Sequence, residues 1–196
     1  MVGQVLAAGL AKAGHAVVMG TRDSAGKPAP DGVRLTTPVQ ACDAELVINA
    51  LNGGAALEAL TALSEPLQGR ILLDLSNPLD FSGGFPPTLF TEQTDSLAEQ
   101  IQRALPATRV VKSLNTLNCE LMLNPGTLNA PSAVFVSGDD AIAKQFVTDL
   151  LTSFGWQQII DLGGIETARG AEMLMPMWLQ LMQVMGGPRF NWSIVT

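Results

Sequence analysis

Chemistry that runs on thiols or imidazoles has little to draw on in this chain, which carries two cysteines and a single histidine. Cys42 and Cys119 lie far apart, form no CxxC pair and have no histidine close by. Neither a zinc site nor a disulfide framework is indicated, and both read as reduced, packed thiols. Charge is sparse as well, and basic charge is scarcer than acidic: 11 Lys and Arg stand against 18 Asp and Glu, for a net charge of -7. Nucleic-acid binding draws its affinity from clustered cations on phosphates, so that class of partner is argued against. No uncharged run reaches the length of a membrane span, and a composition 47% hydrophobic is too apolar for a disordered chain, which predicts a soluble domain. Met1 to Ala13 has the apolarity of a signal-peptide core, but nothing basic precedes it and Lys12 interrupts its end. It reads as a helix, and the expected compartment is the cytoplasm.

What the chain does have is an alternation of two apolar patterns, over a length that suits one α/β domain. From Val2, the residues Val5, Leu6, Leu10 and Ala13 recur at helical spacing, Gly3, Ala7, Ala8, Gly9 and Ala11 keep that helix slim, and Gly14 ends it. Ala16 to Met19 is then a short continuous apolar run, the form of a parallel strand covered on both faces. Similar runs follow at Leu46 to Ile48, Ile71 to Leu73, Val110-Val111, Val134 to Val136 and Ile159-Ile160. Between them lie helical patterns opened by Thr37-Pro38, over Ala55 to Leu63, over Ser96 to Ala104, and over Ala141 to Phe154 closed by Gly155. This order predicts six strands in one doubly wound, mostly parallel sheet of Rossmann type, with right-handed crossovers and ligands at the carboxyl ends of the strands. A last helix over Glu166 to Met185, with Pro176 inside it, follows the sixth strand. It divides the chain into a dinucleotide-binding unit over 1–163 and a helix and tail over 164–196, packed on the same domain or on a second copy in a homodimer.

A dinucleotide-binding unit normally opens with a strand, the sequence G-x-G-x-x-G and a helix whose N-terminus faces the pyrophosphate. Here Met1-Val2-Gly3 reads as the last three positions of that motif, with Gly3 as the glycine that lets helix and sheet approach. Gly14 to Asp23 supplies what should come next, a helix end, a strand and a polar turn. The first strand and most of the glycine-rich loop are therefore expected to be missing. Either the biological chain starts upstream of Met1 or something else fills the slot, and in the chain as given the Met1 ammonium is a substitute for the lost loop amides near the pyrophosphate.

The residues Val2-Gly3 with Leu10 to His15, then Gly20-Thr21-Arg22-Asp23, Asp74 to Leu79, Val111 to Thr116 and Val136 to Asp140 together resemble the NADP-binding oxidoreductases typified by the NADPH-dependent reductase of the deazaflavin coenzyme. The similarity runs over most of the chain. It implies NADP(H) as cofactor and a small-molecule hydride acceptor as partner. It also implies that Thr21 and Arg22 hold the adenosine 2′-phosphate, the hydroxyl and the bidentate guanidinium standing where an NAD enzyme places a carboxylate. Lys27 is close enough in sequence to add a second cation. The competing reading makes Thr21-Arg22-Asp23 an ordinary solvated turn. This chain departs from the family at Asn49-Ala50-Leu51-Asn52, where a Thr-Pro pair is common; these residues are still expected to line the cleft beneath ribose and nicotinamide. A second departure is Asp23, a carboxylate beside the phosphate site. With Met1, Val2, Gly3, Asn77 and Pro78, these residues complete the expected cofactor-binding set.

Asn77-Pro78 is equally a simple strand-ending turn. The loop Asp80 to Pro87, apolar and hinged by glycines, is a cover for the nicotinamide or an ordinary surface loop. Asn115-Thr116 either contacts ligand or caps a short helix. His15 falls at the base of a strand, opposite the ligand end, and takes no catalytic role. Met173, Met175, Met177, Met182 and Met185 with Trp178 read first as core or dimer packing, and Phe190-Asn191-Trp192 as partner contact or pocket rim. With no Ser-His-Asp, Cys-His or paired-carboxylate constellation evident, no acid-base catalyst is assigned. The expected reaction is direct hydride transfer from NADPH to a conjugated acceptor such as a deazaflavin or flavin, for which the protein supplies proximity and orientation. The alternatives are a sensor that binds NADP(H) without turnover, and an imine or carbonyl reductase, which generally needs a longer helical dimerisation domain than one helix.

Overall fold

Residues 1–22 and 28–196 are described by the computed structural model of the chain. In order, the elements are α1 (Val2–Lys12), β1 (Val17–Gly20), β2 (Val33–Thr36), α2 (Pro38–Ala41), β3 (Leu46–Asn49), α3 (Gly53–Thr61), β4 (Ile71–Asp74), β5 (Leu79–Asp80), β6 (Thr88–Leu89), α4 (Leu97–Ala104), β7 (Arg109–Ser113), α5 (Cys119–Met122), β8 (Ala133–Ser137), α6 (Ala141–Ser153), β9 (Gln158–Gly163) and α7 (Ala168–Val184). Short 3-10 turns occupy Pro125–Thr127 and Ile165–Thr167. Among the described residues no helix is long and apolar enough to cross a membrane.

The main sheet runs β3-β4-β7-β8-β9 and is parallel except between β7 and β8. Its inner strands β4, β7 and β8 carry apolar runs, Ile71 to Leu73, Val110-Val111 and Ala133 to Val136, because both faces are covered. Adjacent residues part company: Ile71 and Leu73 on β4 join Val111, Val134 and Val136 on one side, under Leu6 of α1 and Val147 and Leu151 of α6. Leu72 and Val110 go to the other side, under Ala56 and Leu60 of α3 and Leu97 and Ile101 of α4. Helix starts follow their caps. Thr37 Oγ1 accepts from Gln40 N at 3.3 Å with Pro38 opening α2, Ser96 accepts from Glu99 N to open α4, and Asp140 from Ala143 N to open α6.

The six expected strands do not form one sheet. β1 pairs in parallel with β2, as a separate two-stranded ladder, and is half-buried where a strand covered on both faces was expected. β2 eluded the sequence reading because Val33-Arg34-Leu35-Thr36 carries a charge and shows the period-two pattern of a partly covered strand. The crossover rule also stops at β7. The segment beyond it holds only the four-residue α5 and a 3-10 turn before β8 returns antiparallel, a pairing that requires no crossover helix. Asn118, not Asn115 or Thr116, caps α5, its side chain accepting from Glu120 N at 2.7 Å. The last helix starts at Ala168, two residues later than the periodicity suggests, after the second 3-10 turn.

The C-terminal helix and tail lie against the same body. Ala168 joins the core beneath α3 and α4, Asn191 Nδ2 donates to Ser132 Oγ and Ala133 O, and Trp178 stacks on Phe190 at 5.2 Å between ring centroids. The methionine series splits. Met175 and Trp178 are buried, whereas Met173, Met177 and Met185 are exposed.

Candidate functional site

The turns that follow β3, β4 and β7 meet at one end of the molecule. α1 begins beside the turn after β3, where a Cβ built on Gly3 would lie 3.5 Å from the Ala50 Cβ. That is ordinary contact, so a methyl group fits at Gly3; the tighter glycine of α1 is Gly9, whose Cβ would fall 2.1 Å from Leu123 Cδ1, the end of a flexible side chain. α1 then runs away to exposed His15 at the foot of β1, and β1 returns to bring Thr21 and Arg22 back to the end where α1 began. Thr21 N donates to Thr36 O at 2.9 Å, which fixes the exit of β1. Arg22 is exposed and pairs with no carboxylate among the described residues. Lys27 and Asp23 lie outside the described residues.

At the start of α1, Met1 O accepts from Gln4 N and Val5 N. The amides of Val2 and Gly3, in the first turn, have no intrahelical acceptor. Met1 itself is 93% exposed, and Val2 packs against the core.

Beneath these turns lies a buried polar cluster. Asp74, at the end of β4, is fully buried and saturated. Its Oδ1 accepts from Asn49 Nδ2 (2.7 Å), Ser76 N (3.1 Å) and Ser76 Oγ (2.7 Å), and its Oδ2 from Lys112 Nζ (2.8 Å). Lys112, on β7, reaches Glu172 Oε1 of α7 at 2.9 Å and donates to the Ser76 carbonyl. Glu172 accepts from Leu97 N (2.9 Å) and Ala98 N (3.1 Å), the first amides of α4. Burial by itself would lower the Lys112 pKa, but the two carboxylates outweigh it and hold the ammonium above its ordinary range. A buried ion group of this kind is tolerated because each ammonium proton and each carboxylate oxygen has a partner, and because the α4 N-terminus offsets the second carboxylate.

The cluster reaches the surface through two turns. Asn49, whose side chain is engaged with Asp74, accepts from Leu51 N at 3.1 Å and so shapes the turn that leaves Leu51 exposed and Asn52 capping α3 through Gly54 N. Asn77 and Asn115 form a reciprocal pair, Asn77 Nδ2 donating to Asn115 O and Asn115 Nδ2 to Asn77 Oδ1, each at 2.9 Å. Asn115 also donates to Ala171 O of α7 at 3.2 Å. Pro78 is buried, its carbonyl accepting from Phe90 N. The loop Asp80 to Pro87 is the tip of the antiparallel β5–β6 hairpin, with Phe81 and Phe85 exposed. A pocket lined by Thr91, Glu92, Arg169, Glu172, Met173 and Pro176 separates the segment after that hairpin from α7.

Sequence reasoning gave a place at the site to Asn49, Asn77 and Asn115, but quoted Asp74 and Lys112 only as members of the resembling segments and did not name Glu172. The available signal was a charge closing an apolar strand run, at Asp74 after Leu73 and Lys112 after Val111; a charge at such a position must be paired once buried. Glu172, 60 positions further on, carries no such mark.

No family model matches the chain. It is similar over 100% of its length to a crystal structure from Arthrobacter sp. FB24, provisionally named an F420-dependent NADP reductase, at 48% identity and a TM-score of 0.94, covering 95% of that chain. It is 28% identical over 152 residues to the F420-dependent NADP reductase of Methanocaldococcus jannaschii, covering 77% of this chain and 68% of the relative. The enzyme of the same name from Methanothermobacter marburgensis is 27% identical over 195 aligned residues, 90% of this chain and 85% of the relative. A full-length match at 48% identity, on the doubly wound sheet described above, places this chain in the family of the F420-dependent NADP reductases.

Proposed function

We propose that the chain is an NADPH-dependent oxidoreductase that exchanges hydride with a deazaflavin acceptor. The observation that carries this is the full-length similarity to a protein named for that activity, together with a cleft whose residues suit the dinucleotide. An exposed guanidinium beside a hydroxyl at the exit of β1, with no described carboxylate on it, suits a 2′-phosphate. The unpaired first-turn amides of α1 suit the pyrophosphate. Ala50 and exposed Leu51 give the ribose and nicotinamide a slim apolar wall, and the Asn77–Asn115 pair a polar one.

The cofactor, when bound, supplies the hydride; the protein's part is placement. Thr21 and Arg22 anchor the adenosine end, Asn52 and Gly53 hold the turn after β3 in place, and Phe81 and Phe85 of the β5–β6 hairpin offer flat apolar surface to a conjugated acceptor. No side chain has to move a proton for hydride to pass between two such rings. The bonds of Glu172 and Ala171 to the supports of the cleft favour reading residues 164–196 as one domain with it.

The test is acceptor-dependent oxidation of NADPH and NADH, with the deazaflavin coenzyme, a flavin and a quinone compared. We expect turnover with the deazaflavin and a preference for NADPH. Arg22→Ala should weaken NADPH about tenfold or more, the worth of one charge-assisted contact, and leave NADH nearly unchanged. Equal losses for the two cofactors would remove the 2′-phosphate from Arg22, and binding without oxidation by any acceptor would make the chain a sensor.

A further inference from the structure

We propose that Lys112 is a positioning residue: through Asp74 and the Ser76 carbonyl it sets the turn Ser76-Asn77-Pro78, and so the Asn77–Asn115 pair, against the nicotinamide side of the cleft. The inference deepens the reading of the cleft given above and rests on it.

Lys112 is 1% exposed and cannot itself touch a ligand in the cleft, yet its three acceptors come from three places that must keep register for the cleft to hold its shape. Asp74 ends β4 and, through Asn49, governs the turn after β3. The Ser76 carbonyl belongs to the turn after β4 itself. Glu172 brings in α7 and the start of α4. An apolar residue at 112 would leave two buried carboxylates without their shared cation and the Ser76 carbonyl without its donor, and the turn is the one of these parts free to shift toward solvent. The adenosine end, at Thr21 and Arg22, stands on a separate ladder and would not follow. A small displacement at the reacting ring alone lowers the rate of transfer more than it lowers affinity.

The experiment compares Lys112→Met and Glu172→Gln with the parent chain, each well below its own unfolding midpoint. It measures the dissociation constant of NADPH, the emission of its nicotinamide when bound, and kcat and KM with the deazaflavin coenzyme. Glu172→Gln removes the charge of one of the three partners of Lys112, keeps one acceptor oxygen at the α4 N-terminus, and decides the matter if Lys112→Met does not fold. The expected result is a kcat lowered about 10- to 100-fold in Lys112→Met and by a smaller factor in Glu172→Gln, with altered nicotinamide emission and a dissociation constant moved by less than about threefold. Unchanged kcat and emission in folded variants that are merely less stable would overturn the proposal and leave the functional reading standing. A parent chain that binds NADPH but reduces no deazaflavin would count against the acceptor alone, and the emission of bound NADPH would then decide the role of Lys112. A parent chain that does not bind NADPH overturns both.

Discussion

Gly53 is the tightest point in the candidate site. A Cβ there would sit 1.9 Å from the Asn77 carbonyl oxygen and 2.7 Å from its carbon. Both are backbone atoms of the turn that the buried cluster holds, so they cannot swing aside as a side-chain end does. We expect Gly53→Ala to cost about 1–3 kcal/mol, the range of overpacking, and to raise KM for NADPH by displacing the turn. Urea midpoints and steady-state kinetics check the two parts. Gly9→Ala meets the terminal carbon of Leu123, which can rotate, and should cost less despite a nearly equal overlap. If the order is reversed, the turn at Asn77 is softer than its bonds imply.

Among the elements, α4 is held by charge at both ends. Its N-terminus receives the Glu172 carboxylate, and Arg103 in its last turn reaches back to Asp95 with bonds of 3.0 and 2.8 Å. The hydrogen bond from Arg103 is the main reason that the Asp95 pKa falls from 3.8 to about 2. A carboxylate depressed in the folded state contributes stability above its unfolded pKa and loses it as pH falls through the folded one. The tie should therefore be intact above pH about 4 and fade toward pH 2. Asp95→Asn should lower the melting temperature near neutrality by a modest amount, since Arg103 is largely exposed, and flatten its pH dependence between those limits. Parallel slopes for the two proteins would contradict this. In α7, Gly170 is exposed with open space around a built Cβ, so Gly170→Ala should stabilise the chain by up to about 1 kcal/mol in denaturant titration.

For the whole molecule, the defining fact is a sheet with a closed layer on each side. Leu72 and Leu73 are neighbours in sequence, almost fully buried, and members of different cores. Each of Leu72→Ala and Leu73→Ala should cost about 2–5 kcal/mol, because each opens a cavity in a packed layer. A large loss from one and none from the other would show that one face relaxes freely. The exposed Met173 and Met177 of α7 lie outside both layers, and their substitution by polar residues should leave stability within about 0.5 kcal/mol in the same assay.

The sequence by itself determined what is local. Apolar runs placed β1, β3, β4, β7, β8 and β9, and Thr37-Pro38, Ser96 and Ala141 marked helix starts, because burial on both faces and helical periodicity each leave a pattern within a few residues. Asn77 and Ala50, named in the sequence, stand in the turns after β4 and β3. Tertiary structure alone decided that β1 pairs with β2, that β8 runs antiparallel, and that Asp74, Lys112 and Glu172 share one buried spot. Strand partners and buried ion pairs are chosen by distance in space, and here the partners stand 38 and 60 positions apart along the chain, farther than any local pattern extends.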